Sequence, residues 1–184
     1  MLFKYIISTC MLIAIIVIAK PSYFYLKAFL AQNLLELSWE KSKNKNQIIY
    51  PWIGAKTYPI GKISIKKIDL SYIILGGEIK QSLNFGVAHI ENTSKPGSNG
   101  NIGLAGHRDS FFKKLEKIHI GDIIRIESFS KSKDFKVTDI QIISPNELHW
   151  LNQSDEDILT LVTCYPFDFF GDAPKRYLVR AKAN

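Results

Sequence analysis

Fifteen consecutive uncharged residues, Tyr5 to Ala19 (YIISTCMLIAIIVIA), stand between Lys4 and Lys20. Such a run makes a wholly soluble fold untenable. As a helix it rises about 22 Å, short of a hydrocarbon core of ~30 Å. Met1 to Phe3 and Tyr23 to Tyr25 can extend the span, and the flanking lysines can snorkel. A cleaved signal peptide and a retained anchor both remain open. Val17-Ile18-Ala19 offers a cleavage site, but no polar segment separates it from the apolar run, so a retained transmembrane anchor over residues 1–21 is favoured. Lys4 and the amino group balance Lys20 and Lys27, which leaves the orientation open.

Charge follows the same division. Met1 to Lys67 carries 10 basic and 2 acidic residues, net +8, whereas Ile68 to Asn184 carries 14 and 15, net −1. The overall +7 therefore belongs to the membrane-proximal third, and no later basic stretch interleaved with aromatics suggests a nucleic-acid partner. With 184 residues, 46% of them apolar, the chain holds one compact domain and an appendage.

Beyond Pro21, Phe24, Ala28, Ala31 and Leu35, with Leu30, Leu34 and Leu37 beside them, recur at three and four residues. This spacing predicts an amphipathic helix from about Ser22 to Lys41, dissolving in the polar linker SKNKNQ before Ile48. It reads as a stalk, with a membrane-surface helix as the alternative. From Ile48 onward short alternating runs predict strands: Lys62 to Ile68, Tyr72 to Leu75, Asp122 to Glu127, Phe135 to Ile143 and Ile158 to Thr163. Turn signals lie too close together for long intervening helices, so residues 48–184 read as a mainly antiparallel sheet or barrel. Ser110 to Lys117 is the one clear short helix expected in the domain, with Phe111, Leu115 and Ile118 on one face.

Cys10 lies in the apolar run, which leaves Cys164 as the single thiol of the globular part. A lone cysteine is either buried filler or a reactive group. Cys164 ends a strand and enters the loop Tyr165-Pro166-Phe167-Asp168, a place where access is expected. A thiol nucleophile needs a proton carrier and donors for the developing oxyanion. His107, in Gly103-Leu104-Ala105-Gly106-His107-Arg108-Asp109, and Arg176, opening RYLVRA, supply one candidate each. Separately, a structural histidine and a surface arginine explain them equally well; three strand-end positions at one barrel rim shift the balance toward function.

These stretches resemble the sortases, cysteine transpeptidases of bacterial surfaces. Thr160-Leu161-Val162-Thr163-Cys164 resembles the TLxTC signature, Gly106-His107-Arg108 the histidine motif, and Arg176 stands in the place of the family arginine. Gly86-Val87-Ala88-His89, then Ser94 to Gly97 and Gly100-Asn101, resemble the segment leading into that histidine. Lys27 to Trp39, Tyr50-Pro51-Trp52, LAGHRDSFF and LVTCYPFDFF are similar to the class GN sortases of Gram-negative bacteria.

The resemblance implies a mainly β fold, an eight-stranded sortase-type barrel with short helices, behind an inner-membrane anchor and facing the periplasm. It implies catalytic Cys164, His107 and Arg176, with Thr163, His89 and Ala105 at substrate-binding positions. His89 would lie near the cleft. Cys164 would attack a peptide carbonyl in an LPXTG-like motif near a substrate protein's C-terminus, and the thioester would pass to an amine acceptor at the cell envelope. Imidazole suits the proton transfers, and a guanidinium offers a planar fork of donors.

No cofactor is expected, and no metal, because neither CxxC nor HxxxH spacing occurs. Trp150, Leu151, Phe167, Phe169 and Phe170 are candidates for an apolar groove, and Asp168, Asp172 and Arg108 for an ion network at its edge. Two alternatives stay in view: a peptidase that only hydrolyses, and a non-catalytic peptide-binding module.

Overall fold

The computed structural model describes residues 2–184. Within its first helix the side chains at positions 2–4, 6, 8–10, 12, 14–16, 20, 21, 24 and 25 lie outside the description, as does Met1. The expected anchor falls largely on those positions, and Cys10 with it. Among the described residues no helix is long and apolar enough to cross a membrane.

Helix α1 runs unbroken over Leu2–Lys45. The stretch expected to dissolve as a linker is therefore mostly helix. Its physical reason is docking: Leu35 and Trp39 are fully buried against Ile73 and Leu75, with Trp52, Phe85 and Phe129 packed beside them. The docked face is Ala31, Leu35, Ser38, Trp39 and Ser42, whereas Leu30 and Leu37 stay exposed. Ser38 donates to the Ile49 carbonyl, and Ser42 Oγ accepts the Ile49 N–H at 3.0 Å. Short hydroxyls thus turn the chain back onto the barrel.

Eight strands follow: β1 Thr57–Ile65, β2 Leu70–Gly77, β3 Val87–His89, β4 Asn101–Ala105, β5 Ile123–Glu127, β6 Ser132–Ile143, β7 Ile158–Tyr165 and β8 Lys175–Ala183. They close in the order β1-β2-β3-β4-β7-β8-β6-β5. The expected barrel is present and mainly antiparallel, with parallel pairing at β2–β3 and β4–β7. The first of those crossovers holds helix α2, Ile79–Phe85, which the sequence reading did not anticipate. The run KISIKKI ends as strand at Ile65 because Lys66–Ile68 turn as a 3-10 helix.

Inward-facing Ile63, Ile74, Leu104, Phe135, Leu161 and Val179 fill the barrel. The SFFKKLEK segment caps it as a 3-10 turn over Lys113–Lys117, burying Phe112 and Leu115 rather than Phe111 most deeply.

Candidate active site

Strand alternation sets the site. Leu159 and Leu161 of β7 and Val179 and Ala181 of β8 point into the core, so Cys164 and Arg176 lie on the opposite face. They are directly paired across the antiparallel β7–β8 ladder. Cys164 is a free, half-buried thiol. Arg176 Nη1 donates to the carbonyls of Ala173 at 3.1 Å and Lys175 at 3.0 Å, which ties its guanidinium to the β7–β8 loop.

β4 runs parallel to β7, with Ala105 opposite Val162. The chain beyond β4 therefore emerges beside Cys164, and the second residue beyond it is His107. Gly106 is required at the bend: a Cβ there would stand 2.7 Å from Phe112 Cγ. Phe112 N–H in turn donates to the His107 carbonyl at 2.9 Å. The His107 side chain is exposed. His107, Arg108, Asp109, Cys164, Gly171, Asp172, Ala173 and Arg176 line one cavity of about 430 Å³.

The other proposed positions fall differently. Thr163 is buried, and its hydroxyl donates to the Gly106 carbonyl at 2.7 Å. It supports the bend before His107. Ala105 is half-buried beside Val162 and Ala88 and is outside the cavity lining. His89, expected near the cleft, lines a separate cavity of about 620 Å³ with Tyr58, Gly76, Lys95 and Ser130. Its ring reaches the Ser94 carbonyl at 3.0 Å and Thr93 Oγ1 at 3.2 Å. Burial holds this imidazole below its ordinary value of 6.5, outweighing the hydrogen bond to Ser94; the charge of Lys95 acts in the same direction as burial.

The aromatic groove divides as well. Phe167 belongs to the core and packs on Tyr177 with centroids 5.1 Å apart. Phe170 is 97% exposed, and Trp150 lies against Arg180. The expected ion network at the rim is replaced by carbonyl capture: Arg108 Nη2 donates to Phe169 O and, at 3.0 Å, to Gly171 O, with the guanidinium 5.8 Å from the Phe169 ring centre. The sequence marks Arg108 as a rim residue but points to carboxylate partners, whereas the structure gives it backbone carbonyls that clamp the His107 bend to the β7–β8 loop.

A closed mixed barrel thus brings a free thiol, an imidazole and a guanidinium to one end and one cavity. The family profile described as the sortase domain matches residues 63–184. The chain is 32% identical over 146 residues to sortase D of Bacillus subtilis (strain 168), which takes in 79% of this chain and 72% of that protein. Sortase A of Bacillus anthracis is 28% identical over 128 residues, 67% of this chain and 59% of that one. Among solved structures, a sortase D5 transpeptidase of Clostridium perfringens superposes with a TM-score of 0.68 at 30% identity, covering 84% of this chain and 98% of that chain. This chain belongs to the sortase family.

Proposed function

We propose that the chain is a membrane-anchored cysteine transpeptidase that cuts an LPXTG-like sorting motif near a substrate protein's C-terminus and transfers the acyl group to an amine. The observation that carries this reading is the cross-strand pairing of Cys164 with Arg176, with His107 on the same cavity. The Cys164 thiolate attacks the peptide carbonyl, and the tetrahedral intermediate collapses to a thioester as the C–N bond breaks. His107 gives a proton to the leaving amine. It takes one back from the incoming amine, whose nitrogen displaces the thiolate. Arg176 offers N–H donors to the oxyanion in both steps.

Residues 1–21 then anchor the chain, residues 22–47 form the stalk, and residues 48–184 catalyse. The charge-free run supports the anchor. The likeness of LAGHRDSFF and LVTCYPFDFF to class GN sequences supports that class, an inner-membrane location and a periplasmic barrel.

The test is incubation of the full chain, in detergent, with peptides bearing LPXTG-like motifs and a panel of primary amines, followed by mass spectrometry of enzyme and products. A Cys164-dependent thioester and an amine-linked product are expected. Hydrolysed product alone identifies a peptidase. The absence of any adduct with Cys164, across the peptide panel, overturns the catalytic reading in favour of a binding module.

A further inference from the structure

Two arginines fix the backbone on either side of one aspartate. Arg108 Nη2 donates to the Gly171 carbonyl at 3.0 Å, and Arg176 Nη1 donates to the Ala173 carbonyl at 3.1 Å. Asp172 is the residue between them. Gly171 turns the chain there at φ +90°, a left-handed conformation suited to glycine. The loop is therefore held in one shape, and that shape puts Asp172 on the wall of the cavity of about 430 Å³ that contains Cys164.

Neither arginine takes the Asp172 carboxylate as its partner. The side chain is exposed and, among the described residues, has no ion pair or hydrogen bond. Asp109, on the same cavity, is in the same condition. It rides on the turn from His107 to Phe112, which the Phe112 N–H closes onto the His107 carbonyl at 2.9 Å. Elsewhere on the barrel a lysine or arginine covers Asp69, Asp122, Asp134 and Asp157. Asp109 and Asp172 are left without a cation although two guanidiniums share their cavity, because both guanidiniums direct N–H groups at carbonyls.

The reaction assigns these carboxylates to one of the two substrates. His107 carries the proton of the amine that leaves and of the amine that enters, so the amine lies on the His107 side of the thioester. Asp109 is two residues from His107. The Thr and Gly on either side of the scissile bond in an LPXTG-like motif carry no side-chain charge, and they give a pair of carboxylates nothing to bind.

We propose that Asp109 and Asp172 are acceptor-binding residues, and that the acceptor is an amine bearing a second, positively charged group. This rests on the transpeptidase reading and names the class of its second substrate. The uncharged reacting nitrogen bonds to the thioester carbonyl carbon, its proton passes to His107, and the C–S bond breaks with its electron pair on the Cys164 sulfur. The carboxylates meanwhile hold the cationic end of the acceptor. An amine with a carboxylate at its far end is repelled by the same pair.

The experiment uses the full chain in detergent, loaded as the Cys164 thioester with an LPXTG-like peptide and chased with mixtures of propylamine, diaminopropane and β-alanine. Mass spectrometry of the products gives the relative kcat/KM of the three amines. Ratios within one enzyme cancel general damage to the site, and comparison of variant with wild type cancels the amines' own reactivity. The preference for diaminopropane over propylamine should fall by up to about fivefold in Asp172→Asn, and by as much again when Asp109→Asn is added, the scale of an exposed ion pair. It should also shrink at ~1 M salt, where charges are screened beyond about 3 Å. Asp172→Lys should shift the order toward β-alanine. A diaminopropane preference unchanged in the double variant overturns the proposal, as does an Asp172→Lys enzyme that gains nothing on β-alanine.

A second readout needs no turnover. In a Cys10→Ser background, Cys164 is modified by methanethiosulfonates bearing either a trimethylammonium or a sulfonate group; in both cases the thiolate forms a disulfide and methanesulfinate leaves. The ratio of cationic to anionic rates should fall at least about twofold in the double variant, and an unmoved ratio overturns the proposal. If no peptide yields a thioester, the transpeptidase reading fails and the acceptor role falls with it. A thioester that passes to amines with the same charge preference in wild type and double variant sinks the acceptor role alone.

Discussion

Thr163 donates its hydroxyl to the carbonyl of Gly106 across 2.7 Å of buried space, joining the residue before Cys164 to the residue before His107. The bond fixes the two strand exits relative to each other. In Thr163→Val the shape is kept but the Gly106 carbonyl loses its donor, a loss of about 1–3 kcal/mol for a buried acceptor. Turnover of a motif peptide should fall by between about tenfold and a hundredfold, the scale on which a misplaced catalytic group slows a reaction. Thr163→Ser should restore most of it. Equal losses in the valine and serine variants sink the positioning role.

Arg176 is the register partner of Cys164 across β7 and β8, and its Nη1 is already oriented by the carbonyls of Ala173 in the preceding loop and Lys175 at the start of β8. Arg176→Lys keeps a charge and removes the planar fork, so it should not rescue function. Single-turnover thioester formation should drop by about 10²–10³-fold in both the lysine and alanine variants, the range for a lost oxyanion donor. A lysine variant near wild-type rate shows that charge alone suffices.

Arg108 clamps the carbonyls of Phe169 and Gly171, the latter beside the cavity-lining Asp172 and Ala173. Arg108→Ala should release the loop while leaving the barrel folded. Amide hydrogen exchange at residues 168–173 should quicken, with KM raised more than kcat is lowered. An unchanged exchange pattern in that loop refutes the clamp.

What was legible in the sequence follows from the range of the signal. Cys164 and Arg176 sit near strand ends whose alternation is local, His107 follows β4 by two residues, and the family motifs mark all three. The barrel was legible for the same reason, because Asp122 to Glu127 and Ile158 to Thr163 alternate within a few residues. α2 was not, since a seven-residue helix shows barely two turns of periodicity. The end of α1 was misread because Ser42 and its polar neighbours look like linker, and only long-range packing of Leu35 and Trp39 on β2 reveals them as docked helix. His89 shares a motif with the site residues but faces the other cavity, a consequence of β3 running antiparallel to β4.

His89 makes stability depend on pH in a predictable direction. Its burial favours the neutral ring, so the folded pKa lies below the unfolded value of 6.5. The unfolded chain takes up a proton first as pH falls. This contribution is therefore complete above pH 6.5 and is lost progressively below it, down through the lowered folded value. The melting temperature should decline from pH 7 to 5, and His89→Gln should flatten that slope. A steeper or unchanged slope in the glutamine variant contradicts the assignment.

The docked part of α1 also determines where the catalytic domain can be cut. A fragment starting at Lys41 strips Leu35 and Trp39, both fully buried, and exposes Ile73 and Leu75 of β2. Burying a large apolar side chain contributes about 1.5–3 kcal/mol, so the loss of the two together removes much of the 5–15 kcal/mol that a domain typically has. A fragment starting at Phe29 keeps Ala31, Leu35, Ser38, Trp39 and Ser42 on the barrel. The longer fragment should unfold in a single cooperative transition well above the shorter one, and the shorter one should bind a hydrophobic dye at 25 °C. Because Gln32 also holds the Phe85 carbonyl beside the start of β3, the shorter fragment should lose turnover as well as stability. Matching melting temperatures for the two fragments would show that α1 adds nothing to the barrel, and that the buried contacts of Leu35 and Trp39 are energetically idle.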